Sequence, residues 1–222
     1  MKVTFLGHAC FLLEDSGKSI LTDPYLTGNP QAAARPGEVN ADYILVSHAH
    51  QDHLGDALEI AKRSGATIIS TAEVARMCAE EGASTHAMHI GGKHDFDFGF
   101  VRITPAFHGA GVPGGHACGF IFSLGGRNVY FAGDTGIFGD MELLGRLEPL
   151  DLALLPIGDN YTMGPSDAAV AVGMLRPKVA VPMHYSTWPL IKADPLEWKK
   201  RVESEYPSTE VMVVNPGQSI EI

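Results

Sequence analysis

The hydrophobic residues of the chain fall into short apolar runs that alternate with segments of helical spacing. Runs of about five apolar residues that are closed by Gly, Asp or Ser are typical of strands. In the first half of the chain these runs are KVTFLG, CFLLED, SILTD, YILVS and ATIIS. In the second half they are CGFIFSLGG, RNVYFAGD, LDLALLPIGD and VAVPMHYS. Between them, HDFDFGFVRITPAFHG alternates and predicts a hairpin that turns at Gly99.

Helical spacing follows several of the strand-like runs. In QDHLGDALEIAKRSG, the residues Leu54, Leu58 and Ala61 recur at helical spacing and Gly65 stands at a C-cap position. This pattern predicts one helix over residues 51–65. Further helices are predicted in STAEVARMCAEEG, GPSDAAVAVGMLRPK and DPLEWKKRVESEYP. The final segment, TEVMVVNPGQSIEI, predicts a closing pair of strands.

The order of these elements, strands followed by helices and then the same plan again, indicates the fold class. Two sheets that pack face to face, with helices on their outer faces, satisfy this order. We therefore predict an α/β fold, a four-layer αββα sandwich of two packed mixed β-sheets with helices outside. The 222 residues fit a single domain, 1–222, made of two similar halves of about 1–112 and 113–222.

Composition narrows the classes of function. Hydrophobic residues make up 45% and charged residues 19% of the chain, as in ordinary soluble proteins. The formal net charge of −10 argues against a nucleic-acid partner, which requires clustered Lys and Arg. No apolar run reaches the roughly 18 residues of a membrane span and no secretory signal is recognisable. We therefore expect no membrane partner and a cytoplasmic location, with the three cysteines as reduced thiols.

Metal-capable side chains are concentrated in the segment HAHQDH, directly after the predicted strand YILVS. His48 and His50 are two residues apart, so in extended backbone they project the same way and can hold one ion. Asp52 and His53 begin the next helix and would point elsewhere, toward a second ion. Imidazole and carboxylate groups are ligands that suit zinc, manganese or iron.

Three more polar residues follow apolar segments farther along the chain, namely His108, Asp134 and His184. Because each of them comes after a strand-like run, one edge of the sheets can bring them together with HAHQDH. The two oxygens of Asp134 can bridge two metal ions, and the glycines of AGDTG permit the tight turn that lets it approach.

The combination resembles a known family. HAHQDH is similar to the HxHxDH signature of the metallo-β-lactamase superfamily, and a later His, an Asp and a C-terminal His follow in the order of that superfamily. The opening FLGHACFLLE, the segment IGDNYTMGP and the compact length resemble the small metal-dependent hydrolases related to ascorbate-6-phosphate lactonase. The resemblance covers essentially the whole chain.

The resemblance implies a metal site and a reaction. The implied ligands are His48, His50 and His108 for one ion, Asp52, His53 and His184 for the other, and Asp134 between them. We expect two divalent ions per chain, zinc first, with manganese, iron or nickel as alternatives. A metal-bridged hydroxide would attack a small ester, lactone or phosphate-bearing substrate, which can be anionic, and Asp52 would receive or pass on a proton. We also expect a homo-oligomer, as relatives of this size are often multimeric.

Two other functions are open at this point. One is a phosphodiesterase or nuclease of the RNA-processing branch, which shares HxHxDH but typically carries an RNA-binding arm. The other is a non-catalytic metal-binding protein.

The pattern allows two interpretations of the position of several residues near the motifs. His8 lies in the first turn, either as a buried hydrogen-bonded histidine or as a substrate contact; the similarity of FLGHAC favours substrate binding at the mouth of the site. His116 follows a Gly-rich segment and is either a pocket rim or a surface residue. Asp159, Asn160 and Tyr161 either line the pocket or belong to a loop that leads into a helix.

Overall fold

Most of the predicted apolar runs form strands in the protein, which a computed structural model describes over residues 1–222. The fourteen strands are β1 Lys2–Gly7, β2 Cys10–Asp15, β3 Lys18–Thr22, β4 Tyr43–Leu45, β5 Thr67–Thr71, β6 Ser84–Met88, β7 Lys93–Phe96, β8 Gly99–Pro105, β9 Cys118–Leu124, β10 Arg127–Phe131, β11 Leu152–Pro156, β12 Val179–Met183, β13 Glu210–Val211 and β14 Ser219–Glu221. The six α-helices are α1 Gln51–Leu54, α2 Ala57–Ser64, α3 Ala72–Glu80, α4 Met141–Leu147, α5 Pro165–Leu175 and α6 Pro195–Glu205. None of these helices is long and apolar enough to cross a bilayer.

The strands form two sheets of seven. One sheet has the order β14-β1-β2-β3-β4-β5-β6 and the other has the order β13-β12-β11-β10-β9-β8-β7. Both sheets contain parallel and antiparallel pairs, and the helices lie outside. A cluster of 44 buried hydrophobic residues draws side chains from both sheets. The predicted α/β sandwich is therefore confirmed.

The sequence accounts for the interior of the second sheet. The strands β11 (LALLP) and β12 (VAVPM) are buried at every position, as their uninterrupted apolar runs predict for parallel strands covered on both faces. The Ala-rich helix α5 buries Ala168, Ala169 and Ala171. Small side chains let a helix lie close to its neighbours, so this segment packs as core.

The predicted helix over residues 51–65 is wrong in one respect, because it is broken into α1 and α2 at Gly55 and Asp56. Gly55 has φ +40°, and a Cβ there would lie 2.5 Å from the Pro24 carbonyl oxygen. The Asp56 carboxylate accepts hydrogen bonds from the backbone N–H groups of Leu26 and Thr27, at 2.9 and 2.8 Å. Contacts with a distant loop thus override the local helical pattern.

The closing strands do not pair with each other, which corrects the predicted pair. Strand β13 adds to β12 in the second sheet, whereas β14 adds to β1 in the first sheet. Gly217 in the connecting turn donates to the Phe5 carbonyl at 2.7 Å, which brings the end of the chain to the first sheet. The sheets also divide between β6 and β7, so β7 and β8 of the predicted first half belong to the second sheet.

Among the strands whose carboxyl ends lie on one side of the sandwich, six precede the polar residues of interest. In the first sheet β2 is antiparallel to both β1 and β3, and β3 is parallel to β4, so β1, β3 and β4 run the same way. In the second sheet β9 is antiparallel to both β8 and β10, and β10, β11 and β12 are parallel. Hence β8, β10 and β12 also share one direction. This side of the sandwich carries the polar residues.

Candidate metal centre

Each metal-capable residue of interest follows one of these six strand ends. The positions are His8 after β1, Asp23 after β3, His48 to His53 after β4, His108 after β8, Asp134 after β10 and His184 after β12. The structure brings together all seven metal ligands predicted from the sequence, in two groups with Asp134 between them.

The first group consists of three histidines. Nε2 of His48 lies 2.9 Å from Nδ1 of His50, and Nε2 of His108 lies 3.3 Å from the same Nδ1. His48 and His50 therefore do project toward one point, as their spacing predicts. Neutral imidazoles have one acceptor nitrogen each, so three convergent ring nitrogens are well suited to hold a cation.

The second group consists of His8, Asp52, His53 and His184, whose ligand atoms lie within 4.8 Å of one another. Oδ2 of Asp52 is 3.3 Å from Nε2 of His8, 3.6 Å from Nε2 of His53 and 3.8 Å from Nε2 of His184. Asp52 and His53 share the one-turn helix α1, and His184 directly follows β12.

Asp134 faces both groups. Its Oδ1 lies 3.2 Å from Nε2 of His53, while its Oδ2 lies 3.2 Å from Nε2 of His184 and 3.6 Å from Nε2 of His108. Gly133 makes this approach possible. It has φ +59°, and a Cβ there would lie 2.7 Å from Cβ of Ser47.

Asp23 is a part of the centre that the sequence analysis missed. Its Oδ2 is 2.6 Å from Nδ1 of His53 and accepts the hydroxyl of Ser47 at 2.5 Å, while its Oδ1 accepts the Ser47 backbone N–H at 2.7 Å. Oγ of Ser47 is also 2.9 Å from Nδ1 of His48. One buried carboxylate thus supports a histidine of each group. Its position directly after the apolar run SILT is the available signal, but an Asp that closes a strand-like run is equally typical of a turn.

His8 is not at the mouth of the site, and that expected location is wrong. Its side chain is fully buried, with Nδ1 2.7 Å from Oγ1 of Thr187 and Nε2 beside Asp52. Thr187 in turn donates to Oε1 of Gln31 at 3.3 Å. Burial lowers the pKa of His8 to about 4. The alternative of a buried hydrogen-bonded histidine describes its position.

Burial and three carboxylates, Asp23, Asp52 and Asp134, set the protonation states of the histidines in the centre. Burial disfavours the protonated form of His184, but Asp134 and Asp52 overcome this effect and raise its pKa to about 9. Burial likewise opposes protonation of His53, but Asp134 and Asp23 hold its pKa well above the ordinary value. Burial lowers the pKa of His48 to about 2. Burial would raise the pKa of Asp134, but its histidine neighbours keep it far below the ordinary range, so it is ionised.

Unpartnered polar atoms show that the centre fits a cation. Nε2 of His53, both ring nitrogens of His184 and Oδ1 of Asp134 are buried without a hydrogen-bond partner. Most buried polar groups in proteins are paired, so a cluster of exceptions requires an explanation. A divalent cation among imidazole and carboxylate donors supplies one, because it would satisfy these atoms together.

A cavity of about 700 Å³ opens over the centre. Five of its twelve lining residues are predicted metal ligands, and Tyr161 lines it as well. Asp159 and Asn160 lie in the loop before α5 and do not line the cavity, so both readings of that segment hold in part. His116 is exposed and outside the lining, which places it at the surface.

A protein-family model described as "Beta-lactamase superfamily domain" matches residues 2–184, a span that contains every predicted ligand. A UPF0173 metal-dependent hydrolase of Pelotomaculum thermopropionicum is 56% identical over 230 residues, covering 100% of both chains. The chain belongs to the metal-dependent hydrolases of the β-lactamase superfamily. The family resemblance of HAHQDH is thereby confirmed, and so is the expectation of a metal-dependent hydrolytic enzyme.

Solved structures agree with this membership. Igni18, a metallo hydrolase from Ignicoccus hospitalis KIN4/I, is 39% identical to this superfamily member, with a TM-score of 0.93 and coverage of 100% of this chain and 98% of that chain. An isothiocyanate hydrolase from Delia radicum gut bacteria is 19% identical, with a TM-score of 0.79 and coverage of 100% and 99%. At that identity the second likeness shows the shared fold alone.

Proposed function

We propose that this hydrolase holds two divalent metal ions, zinc first, and cleaves a small ester, lactone or phosphate-bearing molecule in the cavity above them. The observation that carries the proposal is the pair of donor groups on either side of Asp134. In this arrangement His48, His50 and His108 hold one ion, and Asp52, His53 and His184 hold the other. Asp134 lies within 3.6 Å of a histidine from each group, which supports a bridging role.

Bound ions would supply Lewis acidity, which lowers the pKa of water from about 15.7 toward about 7 and polarises the oxygen of the scissile group. Manganese, iron and nickel accept the same imidazole and carboxylate donors and are the alternatives to zinc.

Asp52 is the residue of the chain that we assign to proton transfer. Its side chain is 29% exposed and lines the cavity. Burial would raise its pKa, but the neighbouring imidazoles of His184 and His8 keep the pKa far below the ordinary value, so the carboxylate is ionised at neutral pH. Its contacts with the histidines all use Oδ2. Oδ1 is therefore the atom that accepts a proton from the attacking water and returns it to the leaving group.

Asp23 and Ser47 fix the histidine tautomers in this proposal. Nδ1 of His53 donates to Asp23, which directs the lone pair of Nε2 toward Asp134. Nδ1 of His48 donates to Ser47, whose hydroxyl donates to Asp23, so Nε2 of His48 also presents a lone pair to its group. Carboxylates behind metal-ligating histidines orient the rings and raise their basicity.

The test combines metal analysis with a substrate panel. Purified wild-type protein is expected to contain two metal ions per chain and to hydrolyse simple esters or lactones faster than bis-p-nitrophenyl phosphate or a tRNA precursor. His50→Ala is expected to lose metal and turnover together. His116→Ala is the matched control, because this histidine is exposed and outside the cavity. A folded wild-type protein with less than one metal ion per chain would contradict the proposal.

A further inference from the structure

The cavity is lined by two chemically different sets of residues. One set is metal-capable, and the other comprises the large side chains of Tyr25, Tyr161, Trp188 and Leu190. Tyr161 is 54% exposed and Leu190 is 60% exposed. Large apolar side chains that are exposed together at a concave site are typical of surfaces that a ligand covers. We call these four residues the apolar wall.

The apolar wall begins directly beside the second ligand group. The ring of Trp188 meets the ring of His8 edge to face at a centroid distance of 4.9 Å, and Tyr25 meets it similarly at 5.8 Å. Nε2 of His8 is in turn 3.3 Å from Asp52, the residue assigned to proton transfer. A substrate group that packs on Trp188 or Tyr25 would therefore lie next to the bond that is hydrolysed. The rings of Tyr25 and Trp188 are inclined by only 28° at 6.3 Å, so they present similarly oriented faces.

Tyr25 and Trp188, the two rings of the wall beside His8, are held in place by hydrogen bonds and by buried neighbours. The hydroxyl of Tyr25 donates to the Gly28 carbonyl at 3.0 Å, which leaves its ring available for stacking. Trp188 stands between the buried residues Thr187 and Ile191, and the Ile191 carbonyl accepts the Ser186 N–H at 2.7 Å. Such a surface is ordered before a ligand arrives, which reduces the entropic cost of binding.

The charges around the cavity are unfavourable for an anion at the wall. None of the twelve lining residues is Lys or Arg, and the two carboxylates, Asp52 and Asp134, belong to the metal side. A phosphate or carboxylate placed against the wall would lose water without gaining a cationic partner, which is costly. An uncharged aromatic or otherwise flat group would lose little and gain stacking contacts.

We propose that the substrate is a small molecule with an uncharged, flat apolar group, which packs on Trp188 and Tyr25 next to the bond that is hydrolysed. This inference rests on the proposed hydrolytic function and narrows its substrate class to molecules whose group at the wall carries no charge.

Three acetate esters with similar alkoxide leaving groups test it: benzyl acetate, cyclohexylmethyl acetate and para-(acetoxymethyl)benzoate. In each ester, the oxygen of water bonds to the carbonyl carbon of the acetyl group and the bond between that carbon and the alkoxide oxygen breaks. One proton of the water passes to the alkoxide and the other is released, so the products are acetate, the alcohol and a proton. We expect kcat/KM for benzyl acetate to exceed that for the cyclohexyl ester about fivefold, from aromatic stacking. We expect kcat/KM for benzyl acetate to exceed kcat/KM for the carboxylate ester at least about tenfold, because the carboxylate loses water at the wall without a cationic partner.

Two variants locate these preferences at the wall. Trp188→Leu is expected to abolish the preference for the flat ring mainly through KM. Leu190→Lys places a cation at the exposed rim and is expected to raise kcat/KM for the carboxylate ester relative to benzyl acetate about tenfold. Leu196→Lys is the matched control, because Leu196 is 57% exposed on α6 and outside the cavity. It should leave both ratios unchanged.

Binding is read separately, so that the two proposals can fail independently. The chain has two tryptophans, and Trp198 is buried, so benzyl alcohol should quench the emission of Trp188 and have no effect in Trp188→Leu. Metal-dependent turnover with the carboxylate ester preferred would overturn the inference and leave the hydrolytic function standing. Absence of quenching would overturn it as well. Quenching in a protein that holds no metal would support the wall and contradict the hydrolytic function.

Discussion

Asp23→Asn keeps the size of a buried side chain and removes the charge that both histidine groups depend on. In the wild-type protein both oxygens of Asp23 accept hydrogen bonds, one from the Ser47 backbone and the other from the Ser47 hydroxyl and His53. An amide has one oxygen, so one of these positions must become an NH₂ group. Facing His53, that group forces the proton onto Nε2, where a metal ion would bind. Facing the Ser47 backbone, it opposes a donor that cannot rotate.

The expected magnitude follows from these contacts. Loss of a carboxylate that orients a metal-ligating histidine typically lowers metal affinity by about 10- to 100-fold. We expect that loss for the ion held by His53, with a smaller effect on the ion held by His48, which Asp23 reaches only through Ser47. A buried donor that loses its acceptor also destabilises the fold by about 1–3 kcal/mol.

The assay is a titration of metal-free protein with zinc in competition with a chromophoric chelator, followed by urea unfolding of the metal-free form. Asp42→Asn is the matched control, because Asp42 also accepts the backbone N–H and the hydroxyl of a serine, Ser19, at 2.8 and 2.7 Å, but at the surface. If Asp23→Asn bound both ions with wild-type affinity, the proposed role of Asp23 would be refuted.

Three further predictions concern the turn at Gly133, the release of protons on metal binding and the pH dependence of stability. Gly133→Ala should destabilise the fold by about 1–3 kcal/mol in urea unfolding, because the new Cβ would meet Ser47 and Cys118. Gly126→Ala is the control, because Gly126 also has a positive φ but has open space around it. Equal losses of stability in the two variants would contradict the steric explanation. Metal binding near pH 7.5 should release protons, because His184 with its pKa of about 9 and His53 with its raised pKa are protonated in the metal-free protein. Calorimetry in buffers of different ionisation enthalpy measures this release. Metal binding without proton release would contradict the assigned charges of the two histidines. Because its pKa is raised, protonated His184 stabilises the metal-free fold fully below its ordinary pKa of 6.5, and this stabilisation is lost as pH rises through about 9. The loss in the free energy of unfolding is at most about 3 kcal/mol. Urea unfolding midpoints measured below and above this range would show it.

The clustering of the seven predicted ligands could be predicted from the sequence because each lies at or near the end of an apolar run, and strand ends that share a direction meet at one edge. Asp23 obeys the same rule, but its partners, Ser47 and His53, are distant in sequence, and nothing local distinguishes it from a turn residue. The burial of His8 depends on Thr187, at the opposite end of the chain. Long-range contacts of this kind have no local pattern.

The errors in the fold have similar causes. The break between α1 and α2 depends on Gly55 and Asp56 meeting residues 24–27, which the helical spacing of the segment does not reveal. Strand β14 reads correctly as a strand, but the sheet that it joins is decided by the free edge of β1. Strand β6 and helix α4 were not predicted, because the edge strand is mostly polar and half exposed, and α4 has only seven residues.

The central claim is that two cations lie on either side of Asp134. The most direct measurement is an anomalous difference map from crystals of the purified protein, recorded above and below the absorption edge of the metal found by elemental analysis. The claim predicts two peaks, one within about 2.0–2.2 Å of ring nitrogens of His48, His50 and His108, and one at that distance from the ligand atoms of Asp52, His53 and His184. A single peak, or peaks remote from these atoms, would contradict it.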